Sequence, residues 1–396
     1  MRCALPLVGL VGCLGALGPE QRHPPGESPT DTAPRDTAAH DTAQGETGDS
    51  VPEAGPWSFV VFGDNQFATT SCTSGTPERE AVPELVLSLA PDLVLHTGDL
   101  MDHGYEDGAY AWLEHCYAEM FAAQPFFPTS GNHDHSSGGL YNYEPYLERQ
   151  LFETNPWLWG DDWVGDLEHF YEDDPQQYSE DFSAPSHQDD VPSGVSYETF
   201  YAVKVRDAYI ISFEQGTRWW SNTPRSWLEE HLAMARADSS VRHVFVIMHH
   251  PMYSTTMAES GDGESVGPVR GYYEELFRAY DVTLVFSGHA HVYEHFSVPD
   301  DGSATRRDGS AASYEHDGSA VHYVVTGGGG GGLPGCDPMA DPREEHSASY
   351  VQGRRCGHHV TRVQVDGSRL AVEIVGVEGG SGAWTSSTWE SWELKP

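Results

Sequence analysis

Basic side chains are scarce in this chain. Its 396 residues include 21 Lys and Arg against 61 Asp and Glu, a formal net charge of −40. Residues 150–203 hold no Lys or Arg at all, yet carry Asp161, Asp162, Asp166, Glu168, Glu172, Asp173, Asp174, Glu180, Asp181, Asp189 and Asp190. A surface of that sign repels phosphodiester backbones, which excludes nucleic acid as a partner. The segment itself reads as a solvated insertion. Cysteine is sparse too, and none of the six has zinc-site spacing. The apolar run over 4–11 is too short to span a bilayer as a stable helix. The glycine run 327–332 lacks the Gly-Lys-Ser/Thr ending that gives a phosphate loop its chemistry. It follows the apolar Tyr323-Val324-Val325 and reads as a flexible loop at the rim of a cleft.

What is present begins with an export signal. Met1-Arg2 is a short basic segment ahead of the apolar run, which ends in Leu10-Val11-Gly12-Cys13. These four residues resemble a bacterial lipobox. The resemblance implies a signal peptide over 1–12 and a lipidated Cys13 that anchors the mature chain in a membrane, with Leu14 favouring the outer membrane. An ordinary secretory signal cleaved nearby is the alternative. Both readings take the protein out of the cytoplasm, to the bacterial cell envelope or beyond it. Residues 13–56, with Asp-Thr-Ala recurring at 31, 36 and 41, can bury no core and are expected to form a disordered tether. Cys3 lies in the signal, so Cys72, Cys116, Cys336 and Cys356 remain, and an even number in an exported chain points to two disulfides. Four cysteines allow three pairings; the expectation here is Cys72–Cys116 with Cys336–Cys356.

Within the expected domain, 57–380, five short segments each read as an apolar strand that ends in metal-ligand side chains. They are Phe59-Val60-Val61-Phe62-Gly63-Asp64, Leu93-Val94-Leu95-His96-Thr97-Gly98-Asp99, Phe126-Phe127-Pro128-Thr129-Ser130-Gly131-Asn132-His133-Asp134, Val244-Phe245-Val246-Ile247-Met248-His249-His250-Pro251 and Leu284-Val285-Phe286-Ser287-Gly288-His289-Ala290-His291. Ligands gather at the carboxyl ends of strands in open α/β sheets, because the loops there converge on one crevice. Residues 360–365 and 370–375 alternate around Asp366-Gly367 and read as a hairpin at a sheet edge. Residues 381–396 read as a C-terminal tail.

The order Asp…Gly-Asp…Gly-Asn-His-Asp…His…Gly-His-x-His resembles the calcineurin-like metallophosphoesterase superfamily. Met248-His249-His250-Pro251-Met252-Tyr253 and Gly288-His289-Ala290-His291-Val292-Tyr293-Glu294 are similar to its purple acid phosphatase-like branch. Tyr201-Ala202-Val203 through Ile211-Ser212-Phe213 looks like the family's hairpin before the fourth motif, and Trp227-Leu228-Glu229-Glu230-His231-Leu232 like its following helix. The resemblance covers about residues 57–378. It implies an α/β fold, a four-layer α/β/β/α sandwich of two mixed sheets. It also implies two divalent or trivalent ions (Fe, Mn or Zn), with Asp99 as the bridging carboxylate. Asp64 and His291 would complete one set of ligands, and Asn132, His249 and His289 the other. Carboxylates and imidazoles suit these metals. A metal-bridged hydroxide would then hydrolyse a phosphate ester without a covalent phosphoenzyme. His133 would protonate the leaving alkoxide, with Asp134 orienting it. Since the chain's own charge repels phosphate, the attraction must come locally from the ions.

The expected substrate is a small-molecule phosphate monoester. A phosphodiesterase or nucleotidase using the same metals is the first alternative. Trp157, Trp159, Trp163, Phe170 and Tyr171 in the 150–200 insertion are candidates for the alcohol pocket. A surface lipoprotein that binds ligands but has lost catalysis is the second. Two departures bear on these readings. The first motif usually reads Asp-x-His, whereas this chain has Asp64-Asn65-Gln66, so Gln66 offers a weaker amide ligand or leaves the place to water. Purple members carry a tyrosine three residues after the bridging aspartate. Asp102 stands there, so no tyrosinate colour is expected and Asp102 should support a neighbouring histidine. His250, His135, His103 and Tyr253 lie beside the ligands in sequence and suit phosphate contacts and structural roles equally. Oligomeric state is open.

Overall fold

The computed structural model describes residues 55–68, 72, 76–106, 108–135, 146, 167–169, 200–213, 222–258, 266–305, 312–315, 317–336 and 345–396. Residues 1–54, with the signal and tether readings and Cys13, lie outside these. So do Trp157, Trp159, Trp163, Phe170, Tyr171 and the acidic side chains of the insertion.

Strands that are apolar on both faces set the architecture. β1 (Trp57–Phe62), β2 (Leu93–His96) and β3 (Phe126–Pro128) are buried throughout and run parallel. Parallel neighbours need crossovers. These contain α1 (Glu78–Leu89), α2 (Ala109–Cys116) and α3 (Ala118–Ala123). On its other side β1 pairs antiparallel with a late strand, His359–Asp366. Among the described residues that sheet has seven strands and a second sheet has eight. The second is built around parallel strands that include Ala208–Phe213, His243–Ile247, Leu284–Ser287 and Ala320–Thr326, with antiparallel strands on both flanks.

In chain order the later strands are β4 (Leu167–His169), β5 (Phe200–Val205), β6 (Ala208–Phe213), β7 (His243–Ile247), β8 (Leu284–Ser287), β9 (Tyr293–Pro299), β10 (Ala312–Glu315), β11 (Ala320–Thr326), β12 (Val351–Arg355), β13 (His359–Asp366), β14 (Arg369–Glu378) and β15 (Thr385–Lys395). The first sheet runs β10-β15-β14-β13-β1-β2-β3 and the second β12-β9-β11-β8-β7-β6-β5-β4. The expected hairpin before the fourth motif is β5–β6, and the expected helix after it spans Asn222–Ala237.

Side-chain alternation assigns each residue of a central strand to a layer. In β7, Phe245 and Ile247 join the cluster shared with the first sheet. Val244 and Val246 join the cluster that includes Trp227, Leu228, Tyr273 and Phe277 from two outer helices. The Phe59 ring lies 5.0 Å from Phe245 and 6.0 Å, edge-on, from Phe286, so one β1 side chain ties both sheets together. Full burial of such a ring stabilises the fold by about 1.5–3 kcal/mol. With α1 packed on β13 and β14, the arrangement is the four-layer sandwich of two mixed sheets. Pro83, inside α1, has no N–H for the Arg79 carbonyl four residues back. The buried Tyr117 hydroxyl donates to that carbonyl at 3.3 Å instead. Disulfides join Cys72 to Cys116 and Cys336 to Cys356, the pairing expected.

Two sequence expectations fail here. The 360–375 hairpin is internal, because β13 pairs with β1 and β14 pairs with β15. A central strand such as β1 requires a partner on each side, and the alternating β13 supplies it. The 381–396 segment is no tail, since its residues 385–395 form β15. Serines and threonines at its start hide the period, and only Trp392 and Leu394 near its end are buried. Trp392 stacks on His295 of the second sheet, ring centroids 4.0 Å apart. No helix among the described residues is long and apolar enough to cross a membrane.

Candidate metal centre

Each of the five apolar strands stops where its chain delivers a polar group. Asp64 follows β1 through Gly63, and Asp99 follows β2 through Thr97 and Gly98. Asn132 opens a short helix, α4 (Asn132–His135), after β3. His249 follows β7, while His289 and His291 lie between β8 and β9. The first two loops continue side by side: Asp64 N–H donates to Gly98 O at 2.9 Å and Gln66 N–H to Asp99 O at 3.0 Å. Where loops cross, glycine is required. A Cβ on Gly131 would sit 2.2 Å from Asp99 Oδ1, and one on Gly288 2.3 Å from Asp64 Oδ2.

Two groups of side chains could each hold a metal ion, Asp99–His249–His289 and Asp64–Asp99–His291. Within each, the ligand atoms lie within 4.8 Å of one another. Asp99 belongs to both. Asn132 joins the first group, its Oδ1 lying 2.9 Å from both His249 Nε2 and His289 Nδ1. In the second group His291 Nε2 is 3.2 Å from Asp64 Oδ1. All six residues read as ligands are therefore brought together. Gln66 comes with them: its Nε2 donates to Asp99 Oδ2 at 3.2 Å and lies 3.4 Å from His291 Nε2. Asp64, Gln66, Asp99, His289 and His291 all have positive φ, between 45° and 66°. Left-handed backbone at such residues costs about 1–3 kcal/mol each and persists only where the surroundings enforce it.

The donor set and its orientation suit cations. Asp64 and Asp99 are fully buried, and among the described residues their ion-pair partners are histidines alone. His249 Nδ1–H donates to Thr97 O at 2.8 Å, and His291 Nδ1–H to Gly332 O. That turns both Nε2 atoms toward the carboxylates, the usual way a backbone carbonyl orients an imidazole at a metal site. Burial opposes charge on His249, yet Asp99 and Asp64 outweigh it and raise its pKa to about 10. Burial and the neighbouring His249 push His289 down to about 3. Asp99 resists burial and stays well below the carboxylate range because of His249, His133 and His289. The centre thus draws positive charge, and a metal ion competes with a proton for the same nitrogen.

His133 and Asp134 part company. The His133 backbone N–H donates to Asp99 Oδ1 at 2.9 Å. Its Nδ1 lies 2.8 Å from Asp102 O and 3.4 Å from Asp102 Oδ1. The carbonyl can only accept, so Nδ1 carries the proton there and Nε2 faces inward, 3.9 Å from Asp99 Oδ2. The group that orients His133 is therefore Asp102, as the second departure suggested, and not Asp134. The Asp134 carboxylate accepts from the backbone N–H of Leu100, Met101 and Gly131 at 3.2, 3.2 and 2.8 Å, and from Tyr110 Oη at 2.9 Å. It braces the Asp99 loop against the Asn132 loop. Burial and the nearby Asp99 raise its pKa to about 6.

The remaining candidates sort by contact. The His250 ring lies 4.3 Å from that of His289, and burial with its histidine neighbours keeps it neutral. His135 Nε2 pairs with Ser130 Oγ at 2.8 Å. His103 Nδ1 lies 3.2 Å from Asp102 Oδ2 at the rim. Tyr253 is not at the centre; it donates to Glu274 at 2.7 Å within the helix-side core. The glycine run is no flexible rim. Gly329 N–H donates to Gly63 O and Gly331 N–H to Asp64 O, both at 2.8 Å, and a Cβ on Gly331 would meet Gln66 Oε1 at 3.0 Å. Without side chains this strip lies flat against the first motif as a packed wall. Sequence reasoning missed the buried pair Asn65–His96. His96 Nε2–H donates to Asn65 Oδ1 at 2.5 Å, Asn65 Nδ2 donates to Leu100 O at 2.7 Å, and His96 Nδ1 accepts from Gly98 N–H at 3.1 Å. Both sit inside the quoted motifs, and their polarity within a buried strand end was the available signal.

These contacts separate the two acids by experiment. Asp134→Ala strands three backbone donors and should lower the unfolding free energy by about 3 kcal/mol or more. Asp102→Ala removes a part-exposed side chain and should change it by about 1 kcal/mol or less. Urea titration of both variants is the check, and equal losses would remove the distinction.

A profile of the calcineurin-like phosphoesterase family matches residues 58–293. A purple acid phosphatase of Glycine max is 29% identical over 207 residues, 51% of this chain and 42% of that protein. The Fe(3+)-Zn(2+) purple acid phosphatase 12 of Arabidopsis thaliana is 27% identical over 223 residues, 55% of this chain and 45% of the relative. The matches thus span less than half the length of these relatives. Among solved structures, the purple acid phosphatase PPD1 from yellow lupin (Lupinus luteus) aligns with a TM-score of 0.58 at 17% identity, covering 87% of this chain and 54% of its own. A structure of PhoD aligns at 0.52 and 11% identity, covering 87% and 70%. These structural likenesses concern the fold. The match from β1 to the start of β9, over every strand end that carries a candidate ligand, shows that this chain belongs to the calcineurin-like phosphoesterase family.

Proposed function

We propose that this protein hydrolyses phosphate monoesters with a pair of metal ions. The observation that supports it most is the sharing of Asp99 between two donor groups. Asp64, Asp99 and His291, with Gln66 beside them, would hold one ion; Asp99, Asn132, His249 and His289 would hold the other. Fe, Mn and Zn suit such donors. Bound there, the ions supply Lewis-acid stabilisation of phosphoryl charge and activate water. The chain's own part lies around them. The His133 N–H steadies the shared carboxylate, and the Asp102 carbonyl fixes the tautomer of the His133 ring. Protonated on both nitrogens, His133 would deliver the Nε2 proton to the departing alcohol oxygen. The test is turnover of aryl phosphate monoesters and diesters by the metal-loaded protein. Faster diester hydrolysis would favour the phosphodiesterase reading, and no turnover of either would leave a binding protein.

The role of His133 predicts a dependence on the leaving group. His133→Ala should lower kcat on an alkyl phosphate by about 10²–10⁴. On a nitrophenyl phosphate, whose leaving group needs no proton, the loss should be far smaller. Equal losses on both esters would refute the acid assignment.

Gln66 makes the two metal places unequal. An amide is a poorer donor than imidazole for these ions. Metal titration of stripped protein by calorimetry should show one tight and one weak phase. Gln66→His should tighten the weak phase by about 10–100-fold, the scale on which groups at a metal site tune affinity. Two equal tight phases, unchanged by Gln66→His, would contradict this.

The two disulfides suit a compartment outside the cytoplasm. We place the protein in the cell envelope, held by a lipidated Cys13. Cys13→Ser should release it from the membrane fraction. Recovery of the native protein as a soluble form that starts well past residue 13 would exclude the anchor.

A further inference from the structure

The loop between Asp99 and α2 carries an aromatic group that neither the fold nor the metal centre uses. Asp102 is shared between two histidines, with Oδ1 3.4 Å from His133 Nδ1 and Oδ2 3.2 Å from His103 Nδ1. The His103 ring in turn meets Tyr105 edge-on, centroids 5.5 Å apart and planes at 80°. The chain His133–Asp102–His103–Tyr105 thus leads outward from the metal centre to the surface. Tyr105 is 41% exposed, and the His103 side chain 49%. Among the described residues the large rings are mostly buried, and Tyr105 and Trp112 are the exposed large apolar side chains.

The loop is held in place. Gly104 N–H donates to His133 O at 3.2 Å, Glu106 N–H to His103 O at 3.1 Å and Ala109 N–H to Glu106 O at 3.0 Å. A Cβ on Gly104 would lie 2.8 Å from Asp134 O, so the loop packs directly on α4. An exposed ring pair on a fixed backbone loses little conformational entropy when it is covered.

We propose that His103 and Tyr105 receive the alcohol part of the substrate and select esters of neutral aromatic alcohols. The inference rests on the monoesterase reading, because it takes the leaving group to lie on the His133 side of the centre. The chemistry of the loop then narrows the class. A planar alcohol can stack on the Tyr105 face, and the Tyr105 hydroxyl and His103 ring can hydrogen-bond a polar edge. Asp102 and Glu106 bring negative charge and the loop holds no Lys or Arg, so alcohols bearing a second anionic group are repelled.

The test compares kcat/KM for benzyl and ethyl phosphate with the metal-loaded full chain. Their leaving alcohols are of similar basicity, so the ratio reports recognition more than chemistry. The native ratio should favour benzyl phosphate by about tenfold, equivalent to about 1.4 kcal/mol and within the range of stacking on an aromatic side chain. Tyr105→Ala should bring the ratio close to one, and Tyr105→Phe should keep it. Inhibition by inorganic phosphate, measured alongside, reports whether the centre is intact. If both esters turn over and Tyr105→Ala leaves the ratio unchanged, this inference alone is overturned. If neither turns over, it falls together with the monoesterase reading.

Discussion

Two carboxylates buried side by side, whose ion-pair partners among the described residues are histidines alone, are the constraint on which the rest of this structure depends. Removing a carboxylate from water costs several kcal/mol even after the protein relaxes. Asp64 and Asp99 both meet that cost, and neither has a Lys or Arg ion-pair partner among the described residues. The surroundings accordingly raise the proton affinity of His249 and turn the Nε2 atoms of His249 and His291 toward the same space. A centre like this favours added positive charge. In a chain of net charge −40, that charge cannot come from the surface at large.

The fold serves this concentration of charge by dividing the work. Apolar strands hold the two sheets in contact through Phe59, Phe245 and Phe286, so their carboxyl ends arrive together. Polar residues that look catalytic by type do the bracing. Asp134 ties the second and third loops through three backbone donors, and the pair Asn65–His96 ties the first to the second. The glycine strip 327–331 closes the side of the first motif. Left-handed backbone at five residues of the centre is held by this framework. Strain of that kind gathers at functional sites because only there does the geometry outweigh its cost.

Much of this was legible in the chain. Runs such as Leu93-Val94-Leu95 and Val244-Phe245-Val246-Ile247 are apolar at every position, which marks strands buried on both faces, and each ends in a ligand type. Hence the layered fold, and the six side chains that it brings together at the strand ends, could be named without coordinates. Other features were not legible, for reasons that differ by residue. β15 begins with serines and threonines whose polarity masks its period, so it read as a tail. The 360–375 hairpin showed its turn but not its neighbours, because strand pairing is long-range. The glycine run showed backbone freedom but not the wall it packs against.

The sequence by itself determined which residues would stand at the strand ends and what chemistry their donors could do, because alternation and ligand type are local properties of a chain. Only the tertiary structure decided between Asp102 and Asp134 as the partner of His133. Adjacency along the chain favoured Asp134, but the direction of a side chain depends on which donors the fold brings to it. Three buried backbone N–H groups and the Tyr110 hydroxyl claim Asp134, and the loop after β2 brings Asp102 to the imidazole instead.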